Sequence, residues 1–315
     1  MDGAPEINMY IVKSCKALAD ETRVRLLNIL IYHELNVQEI VVSLKLGQSR
    51  ISRHLKILTE CGLVQCRRDG AWAFYKAAEN GPGRKLIQGI LDFFSQEKSL
   101  LQDLDNANQV IQERTQSTRQ FFDAVAHYWE RLSQDALGEL NLAEKIQQNI
   151  PESDIILDLG CGTGELIEKI INKVSGKVIG VDNSPNMLDR ARKRFSDPER
   201  ISFRIGDLDH LPLGDGEADC ALMSMALHHL PHPQKSLQES FRALSPQGTF
   251  IIADFVKHTD ESMRTQYGDR WLGFDTEELT NWLEKIGFQV FDCQKLPAKK
   301  GLVVFLIISK KISNL

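Results

Sequence analysis

Between residues 5 and 60 the apolar positions recur at three- and four-residue steps with short breaks, the spacing that gives each of several helices one buried face. The period then changes. Residues 63–76 read as two extended runs around Asp69-Gly70, a dipeptide that supplies the positive φ of a tight hairpin. Gly81-Pro82-Gly83 closes this part. Beyond it Leu86, Ile90, Phe93, Leu100, Leu104, Ala107 and Ile111 continue in alternating steps of four and three, with Glu97 the one polar member. That stripe predicts one long helix that needs a partner surface, either a second copy of the chain or its own domain.

From Asp154 onward short apolar runs alternate with helical stretches: 155–159, 165–174, 178–182, 185–195 and 201–206. Strand and helix in alternation predict a parallel sheet with helices on both faces. The longest apolar run, 302–308, is far shorter than the roughly 20 residues a bilayer requires, so it reads as a buried strand. The pattern divides the chain into 1–82, a helical and hairpin domain; 83–118, a long dimerisation or linker helix; and 119–315, an α/β domain.

Composition refines this. A chain of 315 residues with 42% apolar content supports two packed domains and excludes disorder or a disulfide scaffold. The net charge of −5 gives no global sign of nucleic-acid binding. Locally the balance reverses: residues 45–76 carry 7 basic and 2 acidic side chains. Six cysteines without a ladder of spacings, and no leader at Met1-Asp2-Gly3, are expected of reduced thiols in a cytoplasmic protein.

Within the basic window Val37–Leu44 makes one helix, 45–47 a turn and Gln48–Glu60 a second helix. On the second, Ile51, Leu55 and Leu58 face inward, which leaves Gln48, Ser49, Arg50, Ser52, Arg53 and Lys56 outside. Arg can fork onto guanine and Gln can pair with adenine, so this face is equipped to read a major groove of double-stranded DNA. Arg67 and Arg68 on the hairpin suit phosphate contacts, which add affinity but little specificity. A solvated basic face is the plainer alternative.

The run Ala17-Leu18-Ala19-Asp20-Glu21-Thr22-Arg23, with Gln48 to Leu55, Gly62-Leu63-Val64 and Arg67 to Tyr75, resembles the winged-helix repressors of the ArsR/SmtB family. The resemblance implies a homodimer built on first and last helices. Where many members carry a Cys-x-Cys metal site this chain has Asn36-Val37-Gln38, and 83–114 contains no His for the other usual site. Two amides cannot replace thiolates, so no metal is expected. Cys61 and Cys66 flank the start of the hairpin, as a thiol switch or as packing residues.

In the second half, the strand Ile155–Leu159 runs into Gly160-Cys161-Gly162-Thr163-Gly164, where the backbone must turn sharply and approach a ligand closely. The next strand ends in Asp182, placed to take the ribose hydroxyls of a nucleoside. A dinucleotide fingerprint would need a third glycine where Glu165 stands, and a carboxylate there repels pyrophosphate. Asp158 adds a second negative charge. Both suit the sulfonium and ammonium of S-adenosylmethionine, and Asp207 in Gly206-Asp207-Leu208 could accept from its adenine amino group.

This half resembles class I methyltransferases, especially a subgroup that includes quinone-biosynthesis enzymes. The resemblance rests on Phe121-Phe122-Asp123, Tyr128-Trp129, the loop from Asp158 to Gly164, Asp182 with Met187, Asp207, and Ala226-Leu227-His228-His229-Leu230. It implies that Gly160, Gly162 and Gly164 line the methionine moiety and that Asp182 holds the ribose. It further implies that Asn183 and Met187 border the adenine, that Asp207 and Leu208 cap it, and that Tyr128 and Ser224 belong to the cofactor site. Residues 254–274, with His258, Arg264, Gly268-Asp269 and Trp271 to Phe274, look like a region shared by winged-helix regulators fused to methyltransferases.

Methyl transfer needs positioning more than a base, but His228 or His229 after the fourth strand could serve as one, with His258 weaker. The scatter of Cys161, Cys220 and Cys293, and Ser224-Met225 after that strand, argue against a three-thiol arsenic site. Two readings follow: a regulator that also methylates a small molecule, or a regulator for which S-adenosylmethionine or S-adenosylhomocysteine is only the allosteric ligand. An enzyme whose DNA-binding part has lost its role is a third.

Overall fold

The computed structural model describes residues 9–312, so Met1-Asp2-Gly3 lies outside the described residues. The chain forms two compact units, Met1–Arg114 and Thr115–Leu315.

The first unit contains α1 (Tyr10–Leu18), α2 (Glu21–Tyr32), β1 (Leu35–Asn36), α3 (Val37–Leu44), α4 (Gln48–Glu60), β2 (Val64–Asp69), β3 (Trp72–Ala77), α5 (Gly81–Phe94) and the start of α6 (Lys98–Val125). Local chemistry sets its boundaries. Asp20 caps α2 by accepting from the Arg23 N–H at 3.1 Å, and Asn36 and Glu39 form a reciprocal capping box that starts α3. Lys45 enters the left-handed region at φ 54° and Gly47 caps α4, which closes the three-residue turn. Gly70 supplies φ 56° at the hairpin tip, and the sheet order is β1-β3-β2. Leu26, Ile29, Leu30, Ile51, Leu55 and Leu58 meet in one core.

The stripe expected as one helix is two. The Ser95 hydroxyl donates back to the Asp92 carbonyl at 2.9 Å, and the Glu97 carbonyl then starts α6 by accepting from Leu100 and Leu101. The polar member of the series therefore marks a break. Leu100, Ala107 and Ile111 are buried in the core of their own unit, whereas Phe93 is 68% exposed. Asp103 accepts a two-pronged bond from Arg25 at 2.7 and 2.8 Å, and Arg114 donates to Glu39 at 2.8 Å. These pairs tie α6 to α2 and α3.

The second unit contains the end of α6, then α7 (Trp129–Leu137), α8 (Leu142–Gln147), β4 (Ile155–Leu159), α9 (Glu165–Ile170), β5 (Lys177–Asp182), α10 (Pro185–Arg194), β6 (Ile201–Ile205), β7 (Ala218–Ser224) and α11 (Pro233–Ala243). It ends with β8 (Leu244–Phe255), α12 (Ser262–Gln266), α13 (Thr276–Ile286), β9 (Phe288–Pro297) and β10 (Val303–Lys311). The sheet order is β6-β5-β4-β7-β8-β10-β9. The first five strands run parallel; β10 pairs antiparallel with both β8 and β9, because residues 298–302 return the chain as a hairpin rather than a helical crossover. Val304 to Ile307 are fully buried, as expected of the 302–308 run.

Crossovers reverse direction between β4 and β7, so the carboxyl ends of those strands part into a crevice. Phe121, Phe122 and Val125 at the end of α6 pack with Trp129 and Met187. Asp123 receives the Ser184 hydroxyl at 2.5 Å and the Asn186 N–H at 3.3 Å, which fastens α6 to the start of α10. This gives the Phe-Phe-Asp run a structural reason.

Candidate functional site

In the first unit α4 presents its polar face as its spacing requires. Ile51, Leu55 and Leu58 are buried, and Gln48, Ser49, Arg50, Ser52, Arg53 and Lys56 are exposed. Arg50 donates to the Thr22 hydroxyl at 2.6 Å, and Lys56 lies 3.7 Å from Glu60 one turn on. The two hairpin arginines differ. Arg68 is exposed, whereas Arg67 is half-buried, donates to Glu34 at 3.1 Å and lies over the Phe74 ring. Cys61 bonds to the Leu58 carbonyl and burial pushes its thiol up, which disfavours the reactive thiolate; Cys66 is exposed.

In the second unit the crevice is a cavity of about 510 Å³. Asp158, Gly160, Gly162, Asp182, Asn183, Met187, Asp207, Leu208 and Ser224 all line it, drawn from the ends of β4 to β7, the loops that follow them and the first turn of α10. Gly164 and Tyr128 do not belong to the wall. Gly164 caps α9 at φ 77°, and a Cβ there would lie 2.9 Å from Phe195, so packing demands it. Tyr128 precedes α7 and pairs with His127, and the next residue, Trp129, takes the place in the wall. Gly160 is needed at the loop itself: at φ 79° its Cβ would stand 2.6 Å from that of Ala226.

The carboxylates of this cavity are built in unequal ways. Asp182 accepts from the Gly162 N–H and the Ser184 N–H, both at 2.9 Å. Burial raises its pKa despite these bonds. Asp158 is buried and its Oδ2 has no hydrogen-bond partner; burial, then the nearby Asp182 charge, push its carboxyl up to about 7. Asn183 donates to Asp207 at 2.9 Å, joining the loops after β5 and β6. Thr163 donates to Glu130 on α7, and Lys169, the one cation in the wall among the described residues, is paired with Glu165.

The two adjacent histidines have separate surroundings. His229 lines the cavity beside Phe122 and Trp129, with its Nδ1 3.2 Å from the Gly268 carbonyl. That carbonyl only accepts, so Nδ1 carries the proton. Burial and His228 together pull the His229 pKa well below its usual value. His228 does not line this cavity. Its Nδ1 lies 2.6 Å from Asp254; burial works against protonation, but Asp254 and Asp269 push its pKa up to about 9. The Arg270 and Trp271 N–H groups donate to its carbonyl, and His258 lies outside the wall. Residues 254–274 thus acquire a role: they encase the histidine pair. Asp254, Gly268 and Trp129 are site-building residues that sequence reading leaves without a role, although Trp129 and Gly268-Asp269 both fall within motifs.

Residues 157–252 match the family described as a methyltransferase domain, and residues 20–65 match the bacterial regulatory proteins of the arsR family. Over 172 residues the chain is 30% identical to a demethylmenaquinone methyltransferase of Symbiobacterium thermophilum, covering 52% of this chain and 68% of that one. Over 100 residues it is 38% identical to an uncharacterized 37.1 kDa protein in transposon TN4556 of Streptomyces fradiae, covering 31% of this chain and 29% of that protein. The match thus spans less than a third of the second relative. Among solved structures, a chain of the complex between the Haloferax volcanii Trm112 methyltransferase activator and a methyltransferase superposes with TM-score 0.56 at 21% identity, over 63% of this chain and 99% of that one. The second unit therefore has a class I methyltransferase fold. The chain belongs to the methyltransferase family, and carries in the same polypeptide a helix-turn-helix domain of the arsR family. Among the described residues no helix is long and apolar enough to cross a membrane.

Proposed function

We propose that the protein is an arsR-type transcriptional regulator that binds double-stranded DNA as a homodimer and whose second unit binds S-adenosylmethionine and methylates a small molecule. The observation that carries the cofactor reading is Asp158: a buried carboxylate with an unpartnered oxygen in the cavity wall, beside a glycine loop that a Cβ would fill. Such an oxygen calls for a donor or a positive charge, which a methionine ammonium provides.

Asp158, Gly160 and Gly162 would hold the methionine moiety, Asp182 the ribose, and Asn183, Met187, Asp207 and Leu208 the adenine. When bound, the group supplies a methyl carried on a sulfonium that departs as a neutral thioether. Phe122, Trp129 and His229 form the ring-lined part of the wall, so His229 is the histidine placed to touch an acceptor. The prevalence of carboxylates over cations in the wall disfavours an anionic acceptor.

For the first unit the support is the exposed polar face of α4 beside Arg68 on the hairpin. Exposed Ile11, Val12 and Phe93 on α1 and α5 leave apolar surface for a second copy. The test is calorimetry with S-adenosylmethionine and S-adenosylhomocysteine, followed by fluorescence anisotropy on DNA from upstream of the gene with each ligand saturating. Absence of heat with both ligands refutes the cofactor reading. A tenfold shift in DNA affinity corresponds to about 1.4 kcal/mol of coupling and would make the ligand a regulator; tight DNA binding that ignores both would leave regulation to the acceptor.

A further inference from the structure

The cofactor reading leaves one buried group unexplained. His228, His229 and Asp269 each offer one ligand atom, and the three atoms lie within 4.8 Å of one another. Nε2 of His228 and Nδ1 of His229 stand 3.6 and 4.0 Å from Oδ1 of Asp269; to ligate, His229 gives up its Nδ1 bond to the Gly268 carbonyl and carries its proton on the unpartnered Nε2 instead. Their side chains are only 3%, 7% and 0% exposed.

Neither oxygen of Asp269 has a hydrogen-bond partner, which a buried carboxylate tolerates only when a cation or donor faces it. Behind His228, Asp254 occupies Nδ1 at 2.6 Å and so turns Nε2 toward Asp269. A carboxylate on the far nitrogen is how metal-bound imidazoles are commonly oriented. A pocket of about 20 Å³ lies against all three residues, room for a single small occupant. Charge is compatible with an ion: carboxylates face the His228 ring from both sides, and a cation on Nε2 would take the place of the proton held between them.

We propose that His228, His229 and Asp269 form a site for a first-row divalent transition-metal ion, zinc or ferrous iron in chemical class. Metal–nitrogen and metal–oxygen bonds of roughly 2.0–2.2 Å put tetrahedral ligands about 3.3–3.5 Å apart, so closing a set whose ligand atoms lie within 4.8 Å of one another calls for side-chain shifts of up to about an ångström. Two imidazoles and a carboxylate suit these ions, whereas copper(I) prefers sulfur and calcium prefers an all-oxygen cage. The protein provides three ligands, which leaves a position open. His229 belongs to both this cluster and the wall of the large cavity, so the ion would be held at the edge of the methyltransferase site. The proposal stands apart from the cofactor reading and from the helix positions at which arsR-family regulators usually hold metals.

Full-length protein, stripped with EDTA and dialysed, is titrated with Zn²⁺ by calorimetry and with Co²⁺ as an optical probe. The expected result is one equivalent bound, visible Co²⁺ bands, and loss of both in Asp269→Ala and His229→Gln. Asp254→Asn, which removes the charge behind His228 and disturbs the bonds Asp254 accepts from the His228 and Phe255 N–H groups, should weaken binding about 10–100-fold. Circular dichroism of each variant confirms folding. No stoichiometric binding by the wild type overturns the site and leaves the cluster as an imidazolium between carboxylates. Binding that persists undiminished in both ligand variants overturns it equally and moves the metal to the thiols.

Discussion

The carboxylate of Asp182 reaches back to the backbone of Gly162, 2.9 Å away, and so holds the glycine loop as well as facing the cavity. A second bond to the Ser184 N–H fixes the start of α10. The sequence alone suggests that this residue serves only a ligand. With both bonds in view, Asp182→Ala should weaken S-adenosylmethionine binding and also lower stability by about 1–3 kcal/mol, from two lost bonds to a charged acceptor. Calorimetry and urea denaturation on the same sample check both effects; wild-type values in each would remove Asp182 from the site.

Asp158 gives a pH signature. Burial raises its carboxyl to about 7 in the folded protein, above its unfolded value, so the native state retains an extra proton between roughly pH 4 and 7. Stability of the ligand-free protein should therefore decline as pH rises through that window. Affinity for a cationic ligand should instead rise across it, with a proton released on binding. Heats of S-adenosylmethionine binding in two buffers of different ionisation enthalpy count that proton, and Asp158→Asn should abolish the release.

Gly160→Ala places a Cβ 2.6 Å from Ala226 in a loop whose φ is already 79°. Strain of about 1–3 kcal/mol is expected, together with loss of cofactor binding, while helical content stays unchanged. Normal binding isotherms in this variant would show that the loop can open without cost to the site.

On α4 the exposed Arg53 is expected to read bases, and Arg53→Ala should cost about 1–3 kcal/mol of operator affinity. The hairpin arginines should separate. Arg68→Ala should reduce the salt dependence of DNA binding by about one phosphate contact, whereas Arg67→Ala, which breaks the pair with Glu34, should act mainly on stability. Anisotropy at several salt concentrations distinguishes them, and equal slopes for the two variants would contradict the assignment.

What was legible in the sequence was local. The helix-turn-helix bounds agree with expectation because Asn36, Glu39 and Gly47 act over three or four residues, and Ile155–Leu159 and the glycine loop announce themselves in the same way. The break at 95–97 was hidden because Glu97 kept the heptad spacing while lacking the apolar side chain that spacing requires. The Arg67–Glu34 pair joins residues 33 apart, and the His228–Asp254 pair residues 26 apart. Periodicity carries no information about such partners, so the burial of His228 and the orphaned state of Asp269 became visible only once β7 and β8 were adjacent.

The helix Lys98–Val125 contributes Leu100, Ala107 and Ile111 to one core and lies with Phe121, Phe122 and Val125 in another, with no turn between them. The boundary between the two units thus falls within the residues of this helix. A gene cut at that boundary would leave one fragment with a frayed helix end and the other without its first packing element. Recombination between relatives should accordingly leave viable crossovers near residues 95–97 and few between 98 and 125, so the two units would be inherited together.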